Sequence, residues 1–374
     1  MANFGEHPRW SRRKLMGALG AGVGLGIGSR WEPSGGLAAG APAQAGTLAT
    51  PRGAIIRTIT GDIDPGVITG ATLMHEHLGN GRRPPARGAA PGTPPGPPDN
   101  PTQDVDWMTT ELTGARKAGV GCIVSASTGG AGAEIPAYLK TLSERTGMHL
   151  LNAGAYYTKQ QYPADFAAKS EDEIADGLVQ MATAGRLGAY GEFGVANGEA
   201  EIDPIEKKVF RSVGRAHLRT GLPIFTHNNY ATGPDVPSDM ALRQLELFEA
   251  VGVDPSHVAI GHVCCLDDPK AEIAQKLAKR GVFVGFDRVG IPTVPDEKRV
   301  AMILAFLDAG HTDHLLLSSD FYTGRALKKN GGPGIGLTVT TFAPMLTKAG
   351  VSEAVLRRIL VDNSRRFLAV VPKV

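Results

Sequence analysis

Short apolar runs, rich in β-branched residues, recur eight times between positions 71 and 320. They are Ala71–His77, Gly121–Thr128, His149–Tyr157, Leu187–Phe193, Pro223–His227, Val258–His262, Val282–Asp287 and His314–Asp320. Runs this short and this apolar predict strands buried on both faces. The stretches between them carry helical periodicity, as in Glu201–Thr220, Met240–Gly252, Asp267–Lys279 and Asp296–Ala309. Gly221, Gly252, Gly281, Gly310 and Gly350 stand where helices would end. Strand and helix alternating eight times predict an α/β fold, a single-domain TIM (β/α)8 barrel. A doubly wound sheet is disfavoured, because no glycine-rich dinucleotide fingerprint follows the first run.

Two segments break the pattern. Residues 82–101 are crowded with proline and glycine and predict a long loop after the first strand. Such a loop would leave the catalytic face of a barrel, as a cover or as an inert insertion. Residues 1–45 predict a twin-arginine signal peptide. Ser11-Arg12-Arg13-Lys14-Leu15-Met16 is the signature, Gly17 to Gly28 the weakly apolar core, and Ala43-Gln44-Ala45 the cleavage site. The barrel would then be residues 46–374, and the mature protein periplasmic or secreted.

Composition adds a few limits. Apolar residues make up 42% and charged residues 20%, a globular balance. Without residues 1–45, Lys+Arg falls from 39 to 34 and Asp+Glu from 37 to 35, so the formal charge moves from +2 to −1. That leaves no basic excess to draw nucleic acid, and no membrane partner is expected after signal removal. The expected partner is a small-molecule substrate. Cys122, Cys264 and Cys265 give no disulfide framework and read as small buried residues.

The chemistry lies at the ends of the runs. His75 and His77, Glu192, His227, His262 and Asp320 each close a predicted strand. Strand ends of a barrel converge on one face, which is how such a fold builds a metal site. Alternation puts His75 and His77 on one side of their strand and Glu76 on the other, toward the helices, where a buried carboxylate needs partners. Four imidazoles and two carboxylates suit two divalent cations, zinc first, with manganese or cobalt as alternatives. They leave residual positive charge that favours a bridging hydroxide, whose proton Asp320 can accept. His149, His217, His257, His311 and His314 fall at strand starts, within helices or in connecting loops, and read as structural or solvated.

The segment Ile56–Leu78, with Gly70-Ala71-Thr72-Leu73-Met74-His75-Glu76-His77, resembles the opening of the phosphotriesterase family of the amidohydrolase superfamily. Val361-Asp362-Asn363-Ser364-Arg365-Arg366-Phe367-Leu368 resembles its closing helix, so the likeness spans almost all of the mature chain. The resemblance implies that His75, His77 and Asp320 hold a buried metal. It implies that His227 and His262 hold an exposed one and that a strand-four carboxylate bridges them. The best-known members carry a carbamylated lysine there, whereas this chain has Glu192. Its charge is the same and its arm shorter, so the metals would sit closer to that strand or one would bind more weakly. Members of the family are often homodimers.

Two further stretches resemble the family's lactonase branch. Asn152-Ala153-Gly154-Ala155-Tyr156 implies that Tyr156 lies near the metals. Phe286-Asp287-Arg288-Val289-Gly290 implies that Arg288 lines the substrate pocket, although Val289 replaces an aromatic. A phenol could serve a developing oxyanion and an arginine could hold a polar group. The expected function is therefore a binuclear hydrolase attacking a lactone or carboxylic ester, or a phosphotriester. Glu192 motivates an enzymatic rival, N-acyl amide hydrolysis. A different class of protein, an exported metal- or solute-binding protein without catalysis, is the remaining alternative.

Overall fold

The structure is a computed structural model and describes residues 50–79, 104–128, 134–195, 199–228 and 237–373. The chain divides into Met1–Thr47 and Leu48–Val374, and the described residues all belong to the second unit. The expected signal peptide and the loop at 82–101 lie outside the described residues.

A two-stranded antiparallel hairpin, β1 (Ile56–Thr58) and β2 (Gly61–Ile63), precedes the barrel. Eight parallel strands follow: β3 (Ala71–Glu76), β4 (Val120–Ser127), β5 (His149–Gly154), β6 (Leu187–Gly194), β7 (Ile224–His227), β8 (Val258–Ile260), β9 (Phe283–Phe286) and β10 (Leu315–Leu317). Each pairs with its neighbour in sequence from β3 to β10. The seam between β10 and β3 closes just beyond the paired strands. There the Asp320 N–H donates to the His75 carbonyl at 3.1 Å, and the His77 N–H donates to the Phe321 carbonyl at 2.8 Å. The predicted barrel is thus present, and the hairpin before it is an addition the strand pattern did not reveal.

One helix follows each strand from β3 to β9. These are α1 (Val105–Lys117), α2 (Glu134–Thr146), α3 (Glu171–Ala184), α4 (Pro204–Thr220), α5 (Met240–Glu249), α6 (Glu272–Lys279) and α7 (Asp296–Asp308). After β10 come α8 (Ala343–Lys348), α9 (Glu353–Arg357) and α10 (Ser364–Leu368), with a π-turn over Arg358–Asn363 joining the last two. Helix α4 shows why the chain starts and stops where it does. Asp203 and Glu206 form a reciprocal cap, Pro204 supplies a helical φ, and Gly221 closes the end at φ 77°.

The barrel interior is filled by Met74, Val124, Leu151, Phe225, Ala259 and Leu316, among others. Ile56 of the hairpin and Phe367 and Leu368 of α10 belong to the same cluster, beside the strands' N-terminal ends. Packing there leaves the C-terminal end as the place where polar side chains can converge.

Two predicted strands stop short of the residues that matter. β8 ends at Ile260 and β10 at Leu317, because His262 and Asp320 adopt left-handed backbone, with φ of 56° and 51°. A residue in that region cannot continue a strand. Both side chains therefore leave the alternating pattern and are aimed by the local turn.

Candidate metal centre

Breaks in regular strand geometry position the other members as well. Leu73 packs outward beneath α1 and α2, while Met74 belongs to the barrel interior. Strict alternation from Leu73 would send His75 outward. The β3–β4 register shifts between Leu73 and Glu76, and His75 instead lies against Phe225 and His262. The β6–β7 register shifts likewise between Tyr190 and Phe193, around Glu192. Gly194 and Gly261 allow β6, β7 and β8 to close up here. A Cβ on Gly194 would collide with the His227 carbonyl, and one on Gly261 with the Thr226 carbonyl.

All six expected ligands are brought together and buried, none more than 7% exposed. One ligand atom each from His75, Glu192, His262 and Asp320 falls within 4.8 Å of the others. Glu192 is central. Its Oε2 is 3.2 Å from His75 Nε2, 3.0 Å from His227 Nδ1 and 3.4 Å from His262 Nε2, and its Oε1 is 3.3 Å from His77 Nε2. The short glutamate arm thus spans all four imidazoles. Asp320 Oδ1 lies 2.9 Å from His77 Nε2 and 4.0 Å from His75 Nε2.

Tautomers follow from the outer partners. His77 Nδ1 lies 2.8 Å from the Ala126 carbonyl, so it must donate. His75 Nδ1 and His262 Nδ1 each lie 2.9 Å from an oxygen of Asp287, and they donate too. In the neutral rings all three Nε2 atoms then present lone pairs to carboxylate oxygens. His75 Nε2 and His227 Nε2 are buried without any hydrogen-bond partner. Lone pairs facing anions in a dry site require positive charge between them. Protons can supply it. Burial opposes the charged form, yet Glu192 and Asp287 hold His75 well above its usual pKa. Burial is likewise outweighed at His77, raised to about 9 by Asp320 and Glu192, and at His262, raised to about 10 by Asp287 and Glu192. A divalent cation would supply the charge better, and the imidazole and carboxylate donors fit zinc, manganese or cobalt.

Asp287 is the residue that the sequence pattern passes over, since it stands there only as the end of an apolar run. It joins the two pairs of histidines from behind, and its Oδ1 also accepts the His262 N–H at 2.8 Å. The histidines hold its carboxyl well below the usual range, although burial alone would raise it. Arg288 is turned the other way, its Nε 3.0 Å from Asp320 Oδ2 as an ion pair without hydrogen-bond alignment.

Two expectations are corrected. Tyr156 does not enter the centre. Its ring packs edge-on against Phe166 at 4.6 Å, and its hydroxyl lies against Gly177 on α3. Strand β5 ends at Gly154, and it is Tyr157 that turns inward, its hydroxyl 3.3 Å from His227 Nδ1. Glu76 finds its partners at the seam rather than among the helices. It accepts from Ser318 Oγ at 2.8 Å, from the Ser319 N–H and Oγ at 3.0 Å and from the Phe321 N–H at 2.6 Å. Burial nevertheless pushes its pKa up to about 7. The three cysteines are buried and unpaired, as expected.

A barrel carrying histidines and carboxylates at the C-terminal ends of its strands defines a metal-dependent hydrolase class. A family model described as the phosphotriesterase family matches residues 54–368, and the chain belongs to that family. It is 35% identical over 237 residues to the phosphotriesterase homology protein of Escherichia coli, covering 62% of this chain and 77% of that one. A crystal structure of that protein, complexed with phosphate in its active site, superposes with a TM-score of 0.69, 30% identity, and cover of 82% of this chain and all of the other. The N-acetyltaurine hydrolase of Bos taurus is 24% identical over 84% of this chain and 97% of its own length. The aryldialkylphosphatase of Saccharolobus solfataricus is 28% identical over 80% and 95%. The last two are hydrolases by name. No helix among the described residues is long and apolar enough to cross a membrane.

Proposed function

We propose that the protein is a binuclear metal-dependent hydrolase of lactones or carboxylic esters, with phosphotriesters as further substrates. The observation that carries this reading is the convergence on Glu192 of four imidazoles whose Nε2 or Nδ1 atoms face its carboxylate within 3.4 Å. His75, His77 and Asp320 would hold one cation, His227 and His262 the other, with Glu192 between them. When bound, the cations supply Lewis acidity at the bond attacked and acidify a water.

The chain's own residues supply the rest. Asp320 takes the proton of the attacking water, and Arg288, its Nε 3.0 Å from Asp320 Oδ2, holds the carboxylate in place. Asp287 fixes the tautomer and tilt of His75 and His262. Tyr157 stands at the His227 side, where its hydroxyl can donate to an oxyanion as it develops. Export by the twin-arginine route fits this reading, since that route carries folded protein.

A second reading is N-acyl amide hydrolysis. It is favoured by Tyr156 packing away from the centre and by the near full-length match to N-acetyltaurine hydrolases. Both chemistries pass through a tetrahedral, oxyanion-bearing centre, so the same residues would serve. A panel of lactones, phosphotriesters and N-acyl amides, tested on protein reconstituted with zinc, manganese or cobalt, separates the two. Turnover of amides alone would replace the first reading by the second. No turnover of any would favour a binding protein.

A further inference from the structure

Arg288 stands beyond the end of β9, which stops at Phe286, so regular strand geometry does not set its direction. Its guanidinium nonetheless lies against Asp320, Nε 3.0 Å from Oδ2. The backbone beside it is held by the residue that opens α7. Both carboxylate oxygens of Asp296 accept the Gly290 N–H, each at 3.0 Å. Gly290 turns the chain at φ 80°, where a Cβ would run into Leu337. One residue earlier, the Val289 N–H donates to the Ser318 carbonyl at 3.3 Å. The turn after Arg288 is thus pinned, and a pinned backbone leaves its side chain few directions.

Asp296 is held in turn. Its Oδ1 accepts from Arg299 Nη1 at 2.7 Å, one turn further along α7. Arg299 is among the largest side chains that are fully buried. The pair is poorly suited to stabilising the fold. Nε and Nη2 of Arg299 have no hydrogen-bond partner, and a cation in the first turn of a helix opposes the helix dipole. Apolar side chains of similar size often match or better a buried pair of this kind. Nor does a side chain cap α7 at Pro295, the position before Asp296; the Asp296 carboxylate faces the preceding loop instead. Holding the Gly290 N–H in one place is what an apolar pair could not do.

We propose that Asp296 and Arg299 are positioning residues for Arg288. Arg299 orients Asp296, and Asp296 fixes the turn at Gly290 beside which Arg288 reaches Asp320. The inference rests on the hydrolase reading for the use of Arg288, which is to hold the carboxylate that takes the proton of the attacking water.

The test follows Arg288 directly. Its Nε–H resonance is observed by NMR in the metal-free protein and identified by its loss in Arg288→Lys. Zinc-reconstituted protein is assayed alongside on dihydrocoumarin, a lactone. In Asp296→Ala the resonance should shift or broaden, and kcat/KM should fall about 10- to 100-fold, as for other residues that orient a reacting group. Asp296→Asn can still accept from Gly290 and should restore part of both. In an Arg288→Ala background, Asp296→Ala should cost nothing further, because its effect passes through Arg288. Asp296→Leu combined with Arg299→Met makes the pair apolar. It should melt at a Tm no lower than wild type and still displace the Arg288 resonance. This double variant carries the test if Asp296→Ala does not fold. An unmoved resonance overturns the proposal. So do additive losses in the two backgrounds, or a lowered Tm in the apolar double variant, the marks of a merely structural role. If wild type leaves dihydrocoumarin intact, the lactone reading fails and the resonance still decides the positioning.

Discussion

Asp287 Oδ2 lies 2.9 Å from Nδ1 of His75. The same carboxylate takes His262 Nδ1 on its other oxygen, so a single residue sets the tautomer of two histidines expected to serve different cations. Each ring is thereby left with Nε2 free to face Glu192. Removing the negative charge while keeping the shape should loosen both rings at once. Asp287→Asn is expected to weaken metal affinity by about 10- to 100-fold while the protein stays folded. Metal titration followed by calorimetry checks this, with circular dichroism as the control. Unchanged affinity would remove Asp287 from the account.

The metal-free centre should take up protons. His77 at about 9 and His262 at about 10 are raised above the ordinary histidine value of 6.5, so both are charged at neutral pH without metal. The sign follows directly. Their raised folded-state pKa values stabilise the metal-free protein fully below about 6.5, and this contribution is lost as pH rises through 9 to 10. A cation must displace those protons, so binding at pH 7 should release them, and apparent affinity should climb with pH. Calorimetry in buffers of different ionisation enthalpy counts the released protons. Buffer-independent heats would contradict the assignment.

Tyr157 and Tyr156 offer a paired test. The Tyr157 hydroxyl is 3.3 Å from His227 Nδ1, whereas Tyr156 packs on Phe166. Tyr157→Phe is expected to lower kcat by about 100-fold, at the weaker end of what a lost oxyanion donor costs. Tyr156→Phe should leave kcat nearly unchanged. The reverse pattern in steady-state rates would restore Tyr156 to the site.

Glu76 should matter to stability more than to chemistry. It is fully buried and collects donors from Ser318, Ser319 and Phe321, the segment that carries Asp320 and closes the barrel seam. Glu76→Ala would strand two backbone N–H groups, which costs about 2–4 kcal/mol in all. Urea unfolding should show a lower midpoint with an unchanged slope. A midpoint equal to wild type would mean that water or a relaxed turn replaces the carboxylate.

Much of this was legible in the sequence for a physical reason. Buried strands need apolar runs, and helix ends need glycine at positive φ, as at Gly221, Gly252, Gly281, Gly310 and Gly350. Residue type and order also sufficed to bring six side chains to one place. Their aim was not legible. His75 and Glu192 depend on register shifts, and His262 and Asp320 on left-handed backbone, none of which alternation can show. The same gap explains why Tyr156 was expected where Tyr157 stands, since β5 stops at Gly154 before either is reached. Asp287 was missed because it follows an apolar run like any strand-end residue. Only the paired contacts to His75 and His262 reveal its use.

On the proposed reading Glu192 lies between two cations rather than beside one. Elemental analysis of the reconstituted protein, with Glu192→Gln alongside, distinguishes these arrangements. Two divalent ions per wild-type chain and fewer in Glu192→Gln are expected. One ion per chain in both would contradict the bridge, and none would contradict the metal centre itself.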